Sequence, residues 1–328
     1  MSRPLRHVLL SSMKDEGPFV LEFVAHHRVL GFDAIHIASN DCTDGTDLLL
    51  DVLAENGIVT HTRNPLKPGD VPQHRGYARI RQKHHFDEDA DWVMVLDVDE
   101  FLYVAEGAGR VGDLTALAEP EVDIIALNSM NFGTNDDMEW RPGLVTRQFT
   151  RRLPEDASSN GPVKCLSRGR GIWRGLHNHY PVGFQGAGAV VHYMQGNGAR
   201  DSFPVSDRMW DHLRNMPAHK ITHKLAWYNH YPIKSIDAFM MRRRRGRGAS
   251  AIDSATMSPQ PSLIAASCAP VPVPTRRWWT RWPTSCATTW ESSATSPGSD
   301  PTNVTGAPDS AASSTRARSS SRTENPGI

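Results

Sequence analysis

The sequence predicts an α/β fold built on a mostly parallel central sheet. Three observations carry this expectation. Short apolar strands alternate with amphipathic helices over the first hundred residues. One strand candidate, Trp92-Val93-Met94-Val95-Leu96, is apolar at every position, as a strand covered on both faces should be. Polar loops follow the strand candidates, at the edge where open α/β sheets bind ligands.

His7–Ser12 reads as the first strand, ending in Ser-Ser. Lys14-Asp15-Glu16-Gly17-Pro18 is a loop whose proline opens a helix. Phe19, Phe23, Val24 and Leu30 give that helix its stripe, and Gly31 is its C-cap. Asp33–Ser39 predicts the second strand. Leu48, Leu49, Val52 and Leu53 mark a helix over Thr46–Asn56 that stops at Gly57, and Ile58–His61 predicts the third strand. Residues 63–72 form a Pro/Gly-rich loop, Gln73–Phe86 a polar Arg/His-rich helix, and Asp91–Leu96 the buried strand. After Glu100 the pattern changes. Val122–Leu127, Leu144–Phe149, Val163–Ser167 and Ala189–Met194 read as shorter strands between Gly, Asn and Pro turns. Pro232–Arg245 begins a last helix carrying Ile233, Ile236, Phe239 and Met240.

Among 328 residues, 36 Lys+Arg balance 36 Asp+Glu. A net charge of zero excludes a generic polyanion binder, so no nucleic-acid partner is expected. Four cysteines without a CxxC motif point to a reducing compartment. Val8–Leu10 is too short for a signal-peptide core, and no run reaches the ~20 apolar residues of a membrane span. A cytoplasmic protein is expected, with peripheral contact at the inner membrane face left open and the oligomeric state undetermined. The averages hide a division. All 15 His precede position 231, the last Lys is Lys234, and Ser, Thr, Ala and Pro make up more than half of residues 249–328. Residues 1–248 therefore read as one catalytic-type domain, and 249–328 as a low-complexity tail expected to be disordered. Trp278, Trp279, Trp282 and Trp290 are odd in such a tail, and a reading-frame shift after about Gly246 in a GC-rich gene is an alternative origin.

The strongest motif is Asp97-Val98-Asp99-Glu100 at the end of the buried strand. In an extended segment Asp97 and Asp99 lie on the same side. A pair of hard oxygen ligands there suits Mg²⁺ or Mn²⁺, with substrate phosphates completing the shell, and a buried acidic pair needs a compensating cation. A solvated acidic turn is the alternative. Ser39-Asn40-Asp41-Cys42-Thr43-Asp44-Gly45-Thr46 follows the second strand, either as a nucleoside contact or as plain helix capping by Thr43 or Asp44. Lys14-Asp15-Glu16 is a third polar loop at a strand end. Arg75, Arg79 and Arg81 meet a diphosphate or form a solvated helix face. The run Arg242–Arg245 binds anionic head groups or an anionic acceptor, or is a solvated helix end.

Jointly, these segments resemble the family 2-type glycosyltransferases of the GT-A fold. The resemblance is closest to a bacterial branch with the pattern KNEGPFLLEWIAYHR, then GFD, then NDCTDGT and LDVDEFL. It rests on Lys14–Phe19 continuing to Arg28, on Gly31-Phe32-Asp33, Asn40–Thr46 and Trp92–Leu102, and on Asn131-Phe132-Gly133, His177-Asn178-His179, Asn229-His230-Tyr231 and Lys234-Ser235. It implies a GT-A-like nucleotide-sugar-binding sandwich, with 1–104 as the nucleotide-sugar half and 105–248 as the acceptor side. It implies a glycosyltransferase, involved in polysaccharide biosynthesis, that moves a sugar from a nucleoside diphosphate sugar to a glycan or other hydroxyl acceptor by metal-assisted inversion. Asp97 and Asp99 would hold the cation, completed by a late His, for which His179 stands alongside His177 and His230. Asn40, Asp41 and Asp44 would lie near the nucleoside, with Lys14, Glu16 and Arg79 on the same edge. Direct displacement needs a base at the acceptor hydroxyl, for which Asp136 and Asp137 are candidates and Glu100 a third. Two competing readings are a phosphatase using the Asp97 strand end and a non-catalytic sugar-nucleotide binder with a damaged C-terminus.

Overall fold

The apolar runs form the centre of one ten-stranded mixed sheet. The computed structural model describes residues 3–250 apart from 119, 137, 138, 207 and 247, together with 269–270. Most of the expected tail, and Asp137, thus lie outside the described residues. The first half runs β1 (His7–Met13), α1 (Gly17–Leu30), β2 (Ala34–Ser39), α2 (Thr46–Glu55), β3 (Thr60–Arg63), α3 (Pro72–His84), α4 (Phe86–Asp89), β4 (Trp92–Val95), β5 (Glu100–Val104), α5 (Val111–Ala116) and β6 (Ile124–Asn131). The second continues with α6 (Val145–Gln148), β7 (Arg151–Arg152), β8 (Val163–Arg168), β9 (Trp173–Leu176), β10 (Pro181–Phe184), β11 (Val190–Gln195), β12 (Arg200–Pro204), α7 (Trp210–Leu213), β13 (Ala226–His230) and α8 (Ile236–Arg245), and Ala269–Pro270 (β14) pairs with β7. No helix among the described residues is long and apolar enough to cross a membrane.

The sheet order is β12-β11-β6-β8-β4-β1-β2-β3, with β13 joining β6 to β5. β1 pairs in parallel with β2 and β4, β2 with β3, and β6 with β11 and β13. β8 lies antiparallel between β4 and β6. Two reversals restore direction, so β1, β2, β3, β4, β6 and β13 all end at one edge, and β8 begins there. β5, antiparallel to β13, also begins there. The central strands are buried on both faces: Val8, Leu9, Leu10, Trp92 and Met94 are fully inaccessible. Tyr77, Ile80 and Phe86 cover one face of β1, β2 and β4. Trp173, Tyr193, Phe203, Met209 and Leu213 build a second cluster against β6, β8 and β11.

Local chemistry explains the boundaries. Pro18 sits at the start of α1, and Gly31, at φ +98°, closes it through a backbone bond to Arg28. Gly76 lets α3 approach the sheet, because a Cβ there would come within 3.0 Å of the Ala38 Cβ. A hydrogen-bonded chain from Ser39 Oγ to His61 Nε2 (2.7 Å) and from His61 Nδ1 to Asp51 (2.6 Å) ties β2, β3 and α2 together. It has the order of a catalytic triad, but Ser39 is 3% exposed, and the chain serves the packing.

Two expectations change. The third strand is Thr60–Arg63, because the Ile58 N–H closes the end of α2 on Leu53 and Ile58 faces solvent. Leu144–Phe149, expected as a strand, contains the single turn α6. Glu22 of α1 explains it. Its carboxylate accepts from Val145 N (2.6 Å), Thr146 N (3.0 Å) and Thr146 Oγ1 (2.6 Å), which fixes helical backbone there. Glu22→Ala should therefore destabilise the domain by about 3 kcal/mol through buried donors left unpaired. Urea unfolding checks this, and an unchanged midpoint would contradict it.

Acid should weaken the same framework. Burial lowers His26 and His36 to about 4, and His27 further. The unfolded chain takes up these protons below about pH 6.5, whereas the native state does not until near pH 4. Stability contributed by the neutral rings is present above pH 6.5 and declines as pH falls toward 4. The thermal midpoint should drop steadily between pH 7 and 4.5, and a flat profile over that range would refute this account.

Candidate functional site

The charged residues of the site gather at the edge where the parallel strands end. β4 stops at Val95, and residues 97–100 turn, with the Glu100 N–H bonded to the Asp97 carbonyl (2.9 Å). Because the segment turns, Asp97 and Asp99 do not share a side as an extended strand would require. Asp97 faces Lys164, which enters the edge from the start of β8. Lys164 Nζ lies 3.1 Å from Asp97 Oδ2 and 2.8 Å from Glu100 Oε2, and its side chain is fully buried. Gln73 of α3 donates to the other Asp97 oxygen at 2.7 Å. Burial works against the Lys164 charge, but Asp97 and Glu100 overcome it and hold the ammonium above the ordinary lysine range. Glu100, expected as a candidate base, is 3% exposed and bonded to Lys164 and to the Asp97 N–H.

Asp99 looks the other way. Its carboxylate bonds Arg242 of α8 at 2.8 Å and lies 4.0 Å from His230 Nε2, while its carbonyl accepts from Tyr231 N. β13 brings His230 there by pairing with Glu100 on one side and Asn131 on the other, and His230 Nδ1 bonds Asn131 Oδ1 at 2.9 Å. Burial would raise Asp99, yet Arg242, Lys234, His230 and Arg245 outweigh it and hold the carboxyl well below the usual range. Burial lowers His230 to about 4, against the pull of Asp99. Arg245 pairs with Glu16 and donates to the Lys14 carbonyl at 3.0 Å. Burial pushes Glu16 up to about 7, with Arg245 and Lys234 pulling it down. Lys234, 6% exposed, lies 4.4 Å over the Phe19 ring.

Backbone strain marks the same edge. Of the seven described non-glycine residues with positive φ, five are Asp15, Asp41, Asn135, Asp136 and Lys234. They lie on the loops leaving β1, β2, β6 and β13. Such conformations cost about 1–3 kcal/mol each and cluster where a site needs fixed geometry.

The sequence-predicted residues divide into three groups. Glu16, Asp97, Asp99 and Glu100 meet in the charged cluster, with Lys14 and Asn40 on adjoining loops. Asp44, expected near the nucleoside, spends its oxygens on Thr46 N, Thr46 Oγ1 and Gly17 N, and so caps two helix starts. Arg79, expected on the same edge, has its guanidinium bonded to the Asn64 side chain and the Pro65 carbonyl. Asp41, at φ +45°, is exposed and accepts from Asn40. Asp136 is exposed and paired with Arg151. His179 Nδ1–H donates to the Val163 carbonyl (2.8 Å), and burial lowers the ring to about 4. Lys164, Gln73, Lys234, Arg242 and Arg245 complete the cluster. Lys234 stood in the family resemblance and the two arginines in the basic run, whereas Lys164 and Gln73 carried no signal.

A divalent cation does not fit this arrangement. Both Asp97 oxygens accept from N–H donors, Gln73 and the buried Lys164, and Asp99 Oδ2 bonds Arg242. Among the described residues no three His, Cys, Asp or Glu side chains converge as a metal site. Four carboxylates (Glu16, Asp97, Asp99, Glu100) instead face four cations (Lys164, Lys234, Arg242, Arg245).

The chain is similar to solved structures at low identity. Residues 1–349 of S. aureus TarS with UDP match at 12% identity and TM-score 0.31, over 42% of this chain and 38% of that one. The UDP-GlcNAc complex of the same protein matches at 12% identity and TM-score 0.30, over 42% and 37%. A mycobacterial protein matches at 14% identity and TM-score 0.26, over 44% of each chain. The matched region thus spans less than half of each of these structures. No curated protein matches the sequence. Where the motifs resemble family 2 transferases, the family match falls elsewhere. Residues 12–230, from the end of β1 through β13, match the model of glycosyltransferase family 92, and the chain belongs to that family.

Proposed function

We propose that this protein transfers a sugar from a nucleoside diphosphate sugar to a hydroxyl of a carbohydrate-type acceptor, and that the donor lies across the charged edge. The observation that carries this reading is the assembly of charged side chains, most of them buried, where β1, β2, β4 and β13 end, in a chain of glycosyltransferase family 92. Open α/β sheets bind ligands in this position. Asp97, with 30% of its side chain exposed, is the carboxylate of the cluster most open to a ligand. Beside it the buried Gln73 Oε1 has no hydrogen-bond partner, and a donor hydroxyl would satisfy it. Lys14, Asn40 and Asp41, on the loops after β1 and β2, are placed to meet the nucleoside end.

The reaction in this reading is a single displacement with inversion. The acceptor oxygen attacks the anomeric carbon as the bond to the diphosphate breaks, and the acceptor proton passes to a base. Asp136 takes that role, on the loop leaving β6 toward the same edge. Lys164 ties Asp97 and Glu100 in place from one buried ammonium, so the site meets the substrate already oriented.

Two measurements test this. In a thermal-shift screen of nucleoside diphosphate sugars, at least one should stabilise the protein, by about 2.7 kcal/mol at ~100-fold excess over Kd. Failure of all of them would remove the donor assignment. Asp136→Asn should leave donor affinity unchanged and reduce transfer about a hundredfold or more. Unchanged turnover would place the base on another residue.

A further inference from the structure

The run Arg242–Arg245 does not behave as a uniform basic patch. α8 turns Arg242 and Arg245 inward, three residues apart on one face, and leaves Arg243 and Arg244 exposed. The helix is fixed in that orientation. Lys234 takes a left-handed turn before it, Ser235 Oγ caps it at Ala238 N (3.2 Å), and the Gly248 carbonyl beyond it accepts from Gln73 N (3.0 Å). Its inner face therefore lies across the ends of β1, β4 and β13.

The two arginines are less buried than the two lysines of the cluster, Arg245 at 16% side-chain exposure and Arg242 more so. Lys164 is wholly buried and Lys234 is 6% exposed, so their charges are committed inside. Arg242 keeps 40% of its side chain exposed, and its bonds to Asp99 and to the Pro232 carbonyl both run through Nη1. A guanidinium has five N–H donors in a planar fork that matches phosphate oxygens. Arg242 can hold Asp99 and still present donors to an anion. A divalent cation at Asp99 would have to displace it, or sit beside it and be repelled.

Resting on the donor reading above, we propose that Arg242 and Arg245 bind the diphosphate of the donor directly, in the place a divalent cation would otherwise take. Asp99 and Glu16 then serve as positioning residues, each holding one guanidinium in register. The leaving diphosphate departs from a site whose compensating charge belongs to the protein.

The test is calorimetric binding of inorganic pyrophosphate, UDP and GDP to the full chain, in EDTA and with Mn²⁺. At least one diphosphate should bind in EDTA, with little change on adding Mn²⁺. Arg242→Gln should weaken that binding by about 10-fold to 100-fold, and Mn²⁺ should not restore it. Arg242→Lys should fall between, because it keeps the charge and loses the fork. Arg244→Gln, on the outer face, should bind as the parent does. If Arg242→Gln fails to fold, Arg245→Gln and Arg242→Lys are read by the same criterion. Binding that needs Mn²⁺, or that survives Arg242→Gln unchanged, overturns the proposal and leaves the donor reading in place. No diphosphate binding under either condition overturns both.

Discussion

The buried ammonium of Lys164 is the constraint on which the rest of the site depends. Asp97 and Glu100 stand three residues apart in one turn, and both are withdrawn from water to a large degree. Without a cation between them the turn would carry two repelling charges of high desolvation cost. Lys164 reaches them because β8 runs against its neighbours, so that its beginning, not its end, meets the edge. The single antiparallel strand inserted between β4 and β6 is thus a requirement of the site as much as of the sheet. An all-parallel arrangement would present a strand terminus there and a different loop.

β13 and α8 add a second layer. β13 wedges between β5 and β6, which places His230 opposite both Glu100 and Asn131. The chain then turns through Lys234 and returns as α8. Each carboxylate of the cluster is matched to a cation on an element distant in sequence, so no local segment is electrically stable alone. The strained backbone at Asp15, Asp41 and Lys234 persists because packed strands on one side and ion pairs on the other determine it.

Much of the framework was legible in the sequence. Apolar runs gave β1, β2, β4 and β8 nearly to the residue, and Pro18 and Gly31 marked α1. The sequence singled out the Asp97–Glu100 segment, which lies in the charged cluster, but not the partition of its side chains. Alternation holds only in extended backbone, and the segment turns. Leu144–Phe149 looked like a strand because its shape is dictated by Glu22, on another helix. Lys164 and Gln73 carry no local signal, since their partner lies 67 and 24 residues away. Four consecutive arginines hid the period that separates the inner pair from the outer one. Asp44 showed how capping and ligand binding draw on the same residues in the same kind of loop. Its side chain bonds the starts of two helices.

The contact between Arg245 and Glu16 joins residues 229 positions apart in the chain. It closes the first βα unit against α8. In a chain made from its N-terminus, the β1–β4 edge is assembled while its compensating guanidinium groups are still unsynthesised. The acidic turn remains a liability until that moment, and loop closure over this span is among the slowest steps open to the domain. Completion of the charged cluster and completion of the fold are therefore one event. A chain interrupted before α8 would be a poorly folded protein rather than a folded one lacking activity, and cellular proteolysis would see it as such.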